Sequence, residues 1–398
     1  MFTRQPRPDR CRWWPLQLGI GIVVATAITV AVVLVTMQPG KSRDPRRVMV
    51  SFVDKGDALA AQKRPPLAGT DIVRAYTRGA LVLAVGEGVS NEDVTRFYAG
   101  AVLVEDDPLI EAIPLGGTGV SPKSPPQARG TAVAVIDRAQ TRGTPDLASA
   151  VNSSCLGSPR GARIADAVGE PMLAVRALGV CDNGYASDIA DAIVWAAGGE
   201  TDRAQPNPTP ARVLLLSMAH RGVCPSYLQT AVSRAVGELG ALVVASAGDR
   251  GAESFPSNCA GVLSVGEAHS STGMAHVRAE TPDGPGYAAA WVASLAAGAW
   301  TGNTTAAAVR ARLCAAATPT CGGNTSACTS VYGLIRAPLE GGGGFNSTCP
   351  IDTYQSGARC RTCPRGSYAA RGWTRCEVCT AGITSSCGYD CLTCGIPR

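Results

Sequence analysis

Apolar runs of five to seven residues recur through the middle of the chain and alternate with longer amphipathic stretches. Runs that are apolar throughout are typical of strands buried on both faces of a sheet, whereas apolar positions three or four apart are typical of helices. Repeated strand–helix units predict an α/β fold, a parallel sheet with helices on both faces, with a ligand crevice at the carboxyl ends of the strands. The predicted strands are 132–136, 172–178, 213–217 and 241–245, and the predicted helices are 187–197 and 227–239.

A smaller unit, within residues 47–113, precedes this body, and a stretch rich in glycine and proline separates the two. Its pattern predicts strand, helix, two strands, helix and strand, which is typical of a small α+β domain. Ser90 stands three residues before Asp93, so the pair predicts a capping box at the start of the second helix. The predicted strands are 48–53, 72–76, 80–85 and 101–104, and the capped helix is 91–98.

Near the N-terminus, the 22 residues 16–37 contain no charged side chain. A helix of that length crosses the ~30 Å hydrocarbon core of a bilayer. A cleavable signal peptide is the alternative, but the run ends in Val35, Thr36 and Met37, without the small residues of a cleavage site. We therefore expect residues 1–15 to form a cytosolic tail and residues 16–37 a signal anchor.

Cysteines and glycosylation sequons indicate an oxidising compartment for the rest of the chain. Of 16 cysteines in 398 residues, eight lie within residues 349–398, which predicts a disulfide-rich module there. The C-x-x-C spacing of that tail would also suit a zinc ribbon. All four sequons follow the apolar span, at Asn152, Asn303, Asn324 and Asn346. We therefore expect a single-pass type II membrane glycoprotein with most of the chain extracellular or lumenal.

The net charge of +5 is spread thinly after the N-terminus, so nucleic acid is not expected as a partner. Candidate chemistry comes instead from four phrases of the predicted body, in this order: AVAVIDRAQTRGTPDLA, AVRALGVCDNGYASDIADAIVWAA, RVLLLSMAHRGVCPSYLQTAV and GALVVASAGDRGAESFPSNCAGVLSVGE. Together they resemble the subtilisin-like serine peptidases, particularly the proteinase K-like branch.

The resemblance implies a division into domains. Residues 130–338 are similar to a truncated subtilisin-like peptidase domain, and residues 47–113 to the ferredoxin-like inhibitory propeptide of that family. Residues 349–398 resemble the small Cys-rich modules of ephrin and tumour-necrosis-factor receptors.

The resemblance also implies where the catalytic residues would stand, and most are replaced. The family's aspartate corresponds to Asp137, whereas Ser158 stands at the histidine position, Gly286 at the serine position and Asp249 at the oxyanion asparagine. Glycine has no nucleophilic atom, and serine cannot act as a general base near neutral pH. Loss of the serine or the histidine alone lowers turnover about 10⁶-fold in subtilisin. A rearranged dyad, such as Ser271 with His276, is the alternative.

Subtilisin-like peptidases hold their substrate as an extra strand between two edges, and the resemblance implies such a cleft here. Ala219 and His220 stand where the family has glycines, so their side chains would narrow it. Because the chain lacks the means to cut off its own propeptide, the segment near residues 110–113 is expected to remain in the cleft. The two edges correspond to Asn183, Gly184 and Tyr185, and to Ser217, Met218, Ala219 and His220.

Similarity to the proteinase K-like branch implies a disulfide between Cys155 and Cys181. A second disulfide is expected between Cys224 and Cys259, and a third among Cys314, Cys321 and Cys328. The family's calcium ligands have no match in this chain, so we expect no metal and no cofactor.

Three functions fit these observations. The expected one is peptide or protein binding at a membrane surface without hydrolysis. An active serine endopeptidase with a displaced or partner-completed triad is the alternative, and a structural surface glycoprotein is the third. An open cleft would favour binding, a cleft filled by the propeptide would favour the structural function, and a Ser–His–Asp cluster would favour the enzyme.

Overall fold

The computed structural model describes residues 44–113, 131–139, 142–150, 155, 164–165, 167–169, 171–248, 254–268, 275–279 and 284–317, and short strands between 334 and 378. The expected signal anchor, residues 16–37, lies outside them. Among the described residues, no helix has both the length and the apolar character needed to span a bilayer.

The small α+β unit, residues 46–106, is a four-stranded antiparallel sheet in the order β2-β3-β1-β4, packed on two helices. Its core forms because alternate residues of β1, among them Val48, Val50 and Phe52, point to the helices. The predicted capping box of Ser90 and Asp93 is present. The elements are β1 (Arg46–Phe52), α1 (Lys55–Lys63), β2 (Thr70–Tyr76), β3 (Ala80–Val85), α2 (Asn91–Phe97) and β4 (Ala101–Asp106).

The body contains a seven-stranded parallel sheet in the order β15-β14-β13-β11-β9-β6-β7. Its strands are short and strongly apolar, as expected for strands covered on both faces. They are β6 (Val133–Asp137), β7 (Met172–Arg176), β9 (Val213–Leu216), β11 (Leu242–Ser246), β13 (Leu263–Glu267), β14 (Val277–Ala279) and β15 (Leu334–Ile335).

Helices cover both faces of this sheet. Val133 and Val135 point to the face covered by α5 (Pro285–Gly298) and α6 (Ala306–Ala316). Their neighbours on β6 point to the other face, under α3 (Ala186–Ala196) and α4 (Ser226–Ser233). This is the α/β architecture that the strand–helix pattern predicts.

A second sheet of four short strands, in the order β12-β10-β5-β8, lies in the same structure. It combines β5 (Leu109–Ala112), which follows the small unit, with three strands of the body: β8 (Asn183–Tyr185), β10 (Met218–Arg221) and β12 (Ser254–Phe255). This sheet forms the candidate functional site.

Most predicted elements are present with ends shifted by one or two residues. The larger difference is at residues 227–239, predicted as one helix, where α4 ends at Ser233 and a π-helical turn, Arg234–Glu238, continues it. In the tail the structure describes two ribbons, β16 (Thr353–Ser356) with β17 (Arg359–Thr362), and β18 (Ser367–Tyr368) with β19 (Glu377–Val378). The disulfides expected in the tail lie outside the described side chains.

Candidate peptide cleft and catalytic positions

The cleft between β8 and β10 is occupied by the chain's own strand β5. Leu109 pairs with Tyr185 and Glu111 with Asn183 on the β8 side, and Glu111 pairs with Ala219 on the β10 side. Both pairings are antiparallel, so β5 lies in the cleft as a peptide does in β-strand addition. The expected edges therefore exist, and the expected segment fills the space between them.

Hydrogen bonds continue beyond the paired residues at the end of β5. The Ala112 N–H donates to the Asp182 carbonyl at 2.8 Å, and the Ile113 N–H donates to the Ser217 carbonyl at 3.1 Å. Ile110, fully buried, packs in the core cluster that also contains Met218. Backbone hydrogen bonds therefore hold β5 along both edges, and the buried side chain of Ile110 anchors it in the core.

Asp137 is the last residue of β6 and is fully buried. Its Oδ1 accepts the N–H of Arg138 at 2.7 Å. The Arg138 guanidinium lies 3.3 Å from the Asp182 carboxylate, Nε to Oδ1, which ties the end of β6 to the loop before β8. The predicted acid therefore lies at the carboxyl end of an inner strand, next to the edge strand β7, and parallel α/β sheets bind ligands at these strand ends.

Gly286, the residue at the expected serine position, is buried in the first turn of α5. Gly284 precedes the helix with φ of 84°, a conformation that favours glycine, and Pro285 begins the helix. Ser158 and Asp249, the residues expected at the histidine and oxyanion positions, lie outside the described residues.

Comparisons with known proteins agree with this architecture. No protein-family model matches the chain. A stretch of 101 residues, 25% of the chain, is 42% identical to an extracellular protease of Xanthomonas campestris pv. campestris. A stretch of 103 residues is 40% identical to an extracellular basic protease of Dichelobacter nodosus. Each match spans 17% of the relative's length, so the chain corresponds to less than a fifth of these curated relatives.

Solved structures resemble the chain over more of its length. Fervidolysin from Fervidobacterium pennivorans, described as a keratinolytic enzyme related to subtilisin, superposes with a TM-score of 0.51 at 15% identity, covering 83% of this chain and 69% of fervidolysin. The epidermin leader peptide processing serine protease of Staphylococcus aureus superposes with a TM-score of 0.50 at 12% identity, covering 74% of this chain and 98% of that protein. The fold of the chain is subtilisin-like. Identities this low support the fold alone.

Two helices of the subtilisin-like body take their N-terminal caps from the small unit. Both oxygens of Asp107 accept hydrogen bonds from Ser187 in the first turn of α3, at 2.8 Å from its N–H and 2.7 Å from its hydroxyl. The Tyr227 hydroxyl donates to Asp107 Oδ1 at 3.0 Å. The Ser226 N–H, at the start of α4, donates to Glu105 at 3.0 Å. Neither helix has a side-chain cap of its own. These carboxylates therefore accept hydrogen bonds from N–H groups of the first helical turns, which have no partner within the helix.

Burial raises the pKa of Asp107, and the hydrogen bonds from Ser187 offset part of that rise. Nothing in the sequence pattern singles out Asp107 for this role, because the helix it caps begins about 80 residues later. The one feature of the sequence that marks Asp107 is its position directly after strand β4.

A buried ion cluster also joins the small unit to α3. Arg74 of β2 lies 2.8 Å from Asp188 and 3.3 Å from Asp191. Arg203 lies 2.8 Å from the same Asp188 carboxylate, and the Tyr76 hydroxyl donates to Asp191 at 2.9 Å. Burial raises the pKa of Asp191 to about 6, against the lowering effect of the two arginines. No motif in the sequence predicts this cluster.

Tyr185, at the end of β8, holds the start of the small unit. Its hydroxyl donates to the Pro45 carbonyl at 2.7 Å, and the Arg47 guanidinium lies over its ring, 3.6 Å from the centroid. Burial raises the pKa of this hydroxyl, although the positive charge of Arg47 lowers it. One edge of the cleft is therefore fixed by contacts with residues just before and within β1.

The alternative dyad of Ser271 with His276 is not described, because Ser271 and the nearby His269 lie outside the described residues. His276 instead contacts Ser264 on β13, whose Oγ and N–H both lie 2.9 Å from His276 Nδ1. Burial, with a contribution from Arg310, lowers the pKa of His276 to about 4. Two strands separate β13 from the acid on β6, about 14 Å across the sheet, so this pair forms no triad with it.

Two of the three disulfides expected in the body are described. Cys155 is bonded to Cys181 and Cys224 to Cys259. Cys314 is also disulfide-bonded, to a residue outside the described part of the chain. Among the sequon residues only Asn303 is described, and it lies exposed in the turn after α5. Across the described residues, no group of three or more His, Cys, Asp or Glu is arranged to hold a metal ion.

Proposed function

We propose that this subtilisin-like protein is a non-hydrolytic membrane glycoprotein whose peptide cleft holds its own strand β5. The observation that carries the proposal is β5 itself, paired along both edges of the cleft while it remains part of the same chain. The replacement of the expected nucleophile by Gly286 supports it, because a glycine offers no atom to attack a carbonyl.

A filled cleft favours a structural role for the small unit over an open receptor. Two further contacts support lasting attachment: the helix caps from Asp107 and Glu105, and the ion cluster around Arg74. Asp107 and the ion cluster bury charge that would have to be rehydrated and left unpaired if the unit separated.

Binding of an external peptide is the second candidate function, and the backbone ladder of β5 favours it. Backbone pairing tolerates many sequences, so another extended peptide could exchange with β5. Such a ligand would need an aliphatic side chain at the place of Ile110, which is fully buried.

An active peptidase is the alternative from another class, and the names of the curated relatives favour it. A fluorophosphonate probe, which labels activated serines, distinguishes the two. We expect no labelling of the full-length chain under conditions in which a subtilisin added to the same sample is labelled. Labelling of this chain would overturn the proposal.

The membrane and glycan parts of the proposal are tested separately. We expect the full-length chain to stay with the membrane after alkaline carbonate extraction and a variant lacking residues 16–37 to be released. Glycosidase treatment should lower the apparent mass. Release of the full-length chain by carbonate would contradict the signal anchor.

A further inference from the structure

Strand β5 directs its backbone groups alternately to the two edges of the cleft. The Ala112 N–H donates towards β8, to the Asp182 carbonyl, and the Ile113 N–H donates towards β10, to the Ser217 carbonyl. Because successive residues of a strand direct their N–H and C=O groups to opposite sides, the carbonyl of Leu109, four residues before Ile113, also faces β10.

The backbone ladder with β10 ends before it reaches Leu109. Its register joins Met218 to Ala112 and Ala219 to Glu111. The next residue of β10 is His220, and its Nδ1 lies 2.8 Å from the Leu109 carbonyl oxygen. A carbonyl oxygen only accepts hydrogen bonds, so Nδ1 carries the proton and donates.

The His220 ring is also held from its other side. His220 pairs with Phe255 of β12, and the two rings pack at 5.1 Å between centroids. Phe255 is buried, which limits the positions the imidazole can take. The backbone hydrogen bonds between β10 and β5 end at Glu111. The His220 side chain therefore extends the hydrogen bonding between the two strands to Leu109.

We propose that His220 retains β5 in the cleft through its hydrogen bond to the Leu109 carbonyl, and we call this contact the latch. The glycine that the family resemblance has at this position provides no side-chain donor, so the Leu109 carbonyl would lose its partner on β10. This inference rests on the proposed function, in which β5 stays in the cleft uncut. One net hydrogen bond of this kind shifts a local opening equilibrium about 2- to 10-fold.

Hydrogen exchange of the full-length chain in detergent tests the latch at the amides of Glu111, Ala112 and Ile113. We expect His220→Gly to speed their exchange about 2- to 10-fold. His220→Asn, whose side-chain N–H can take the place of Nδ1–H, should restore most of the protection. Ala219→Gly is the matched control, because it introduces the same backbone freedom on the same strand without removing a side-chain donor. Amides of β11 report whether each variant is folded.

The outcomes separate the latch from the function on which it rests. Strong protection of β5 that is equal in the wild type and His220→Gly would overturn the latch alone. Faster exchange in His220→Gly that His220→Asn does not restore would assign retention to ring packing and also overturn the hydrogen-bond latch. Absence of protection of β5 in the wild type would overturn the proposed function itself.

Discussion

In the proposed account, Gly286 and Asp137 stand at the positions of a nucleophile and of an orienting acid. Asp137 is fully buried at the end of β6, and its carboxylate accepts the Arg138 N–H. Gly286 lies in the first turn of α5 and contributes no side-chain atom to the proposed nucleophile position. An acid that orients a base contributes to catalysis only through that base and its nucleophile, so Asp137 alone supplies no reaction.

Restoring the nucleophile alone should not restore activity. In Gly286→Ser we expect no fluorophosphonate labelling, because a serine hydroxyl without a paired base remains almost fully protonated near neutral pH. Gly286→Ala is the control for the added Cβ. Labelling of Gly286→Ser but not of Gly286→Ala would reveal a working base and contradict the non-hydrolytic account.

Gly184 is needed for close packing at the cleft edge. A Cβ there would lie 2.3 Å from the Ala177 carbonyl oxygen and 2.9 Å from Leu178. Since the first of these is backbone, Gly184→Ala should lower the free energy of unfolding by about 3 kcal/mol or more, measured by denaturant titration. Gly237→Ala, in the π-helical turn with no atom within 4 Å, should raise it by about 0.5–1 kcal/mol. Equal effects at the two positions would contradict the packing described for β8.

At the level of elements, α3 connects the body to the small unit. Its first turn is capped by Asp107, and its first two turns carry Asp188 and Asp191, which form ion pairs with Arg74. Two carboxylates three residues apart lie on one helix face, so a single pair of arginines serves both. This junction between α3 and the small unit is therefore buried and charged, and its stability is expected to depend on pH.

Asp191 should make stability fall as pH rises. Its folded-state pKa of about 6 lies above the ordinary value of 3.8, so the folded chain holds a proton there that the unfolded chain has lost. The resulting stabilisation is fully present below about pH 4 and is lost as pH rises through about 6, a difference of about 3 kcal/mol at most. Asp191→Asn stays uncharged, so denaturant unfolding at pH 4.5 and 7.5 should show a smaller fall than in the wild type.

Asp146→Asn is the matched control for this pH dependence. Asp146 lies 3.0 Å from Arg176 in a partly exposed ion pair, which is expected to contribute little. Its replacement should leave the pH profile of the wild type nearly unchanged. A profile for Asp191→Asn that follows the wild type from pH 4.5 to 7.5 would show that another group titrates at the junction.

At the level of the whole molecule, the sequence predicts individual strands and helices better than it predicts the contacts between segments far apart in the chain. Strands such as β9 and β11 were predicted because residues buried on both faces are apolar at every position. The pairing of β5 with β8 and β10 has no local signal, since it depends on partners about 75 and 110 residues away. It was expected only through the family resemblance. The very short strand β14 was missed because three residues carry no periodicity.

In the candidate site, too, residues with a local sequence signal can be predicted, whereas contacts between distant segments cannot. Asp137 stands out as a carboxylate after a buried strand, and the cleft edges follow from the resemblance. Arg74 and Asp191 come from separate elements whose contact only the folded chain creates, and neither has a distinctive neighbour in the sequence. The ring of His220 was expected to narrow the cleft, whereas the structure has it donating a hydrogen bond to the strand inside.

Intact mass and N-terminal sequencing of the deglycosylated full-length chain, beside Asp137→Ala, test the central claim most directly. The account predicts one uncut chain in both proteins, because β5 stays in the cleft and the chain cannot cut its own linker. Cleavage between residues 113 and 130 in the wild type that disappears in Asp137→Ala would demonstrate self-processing and contradict the account.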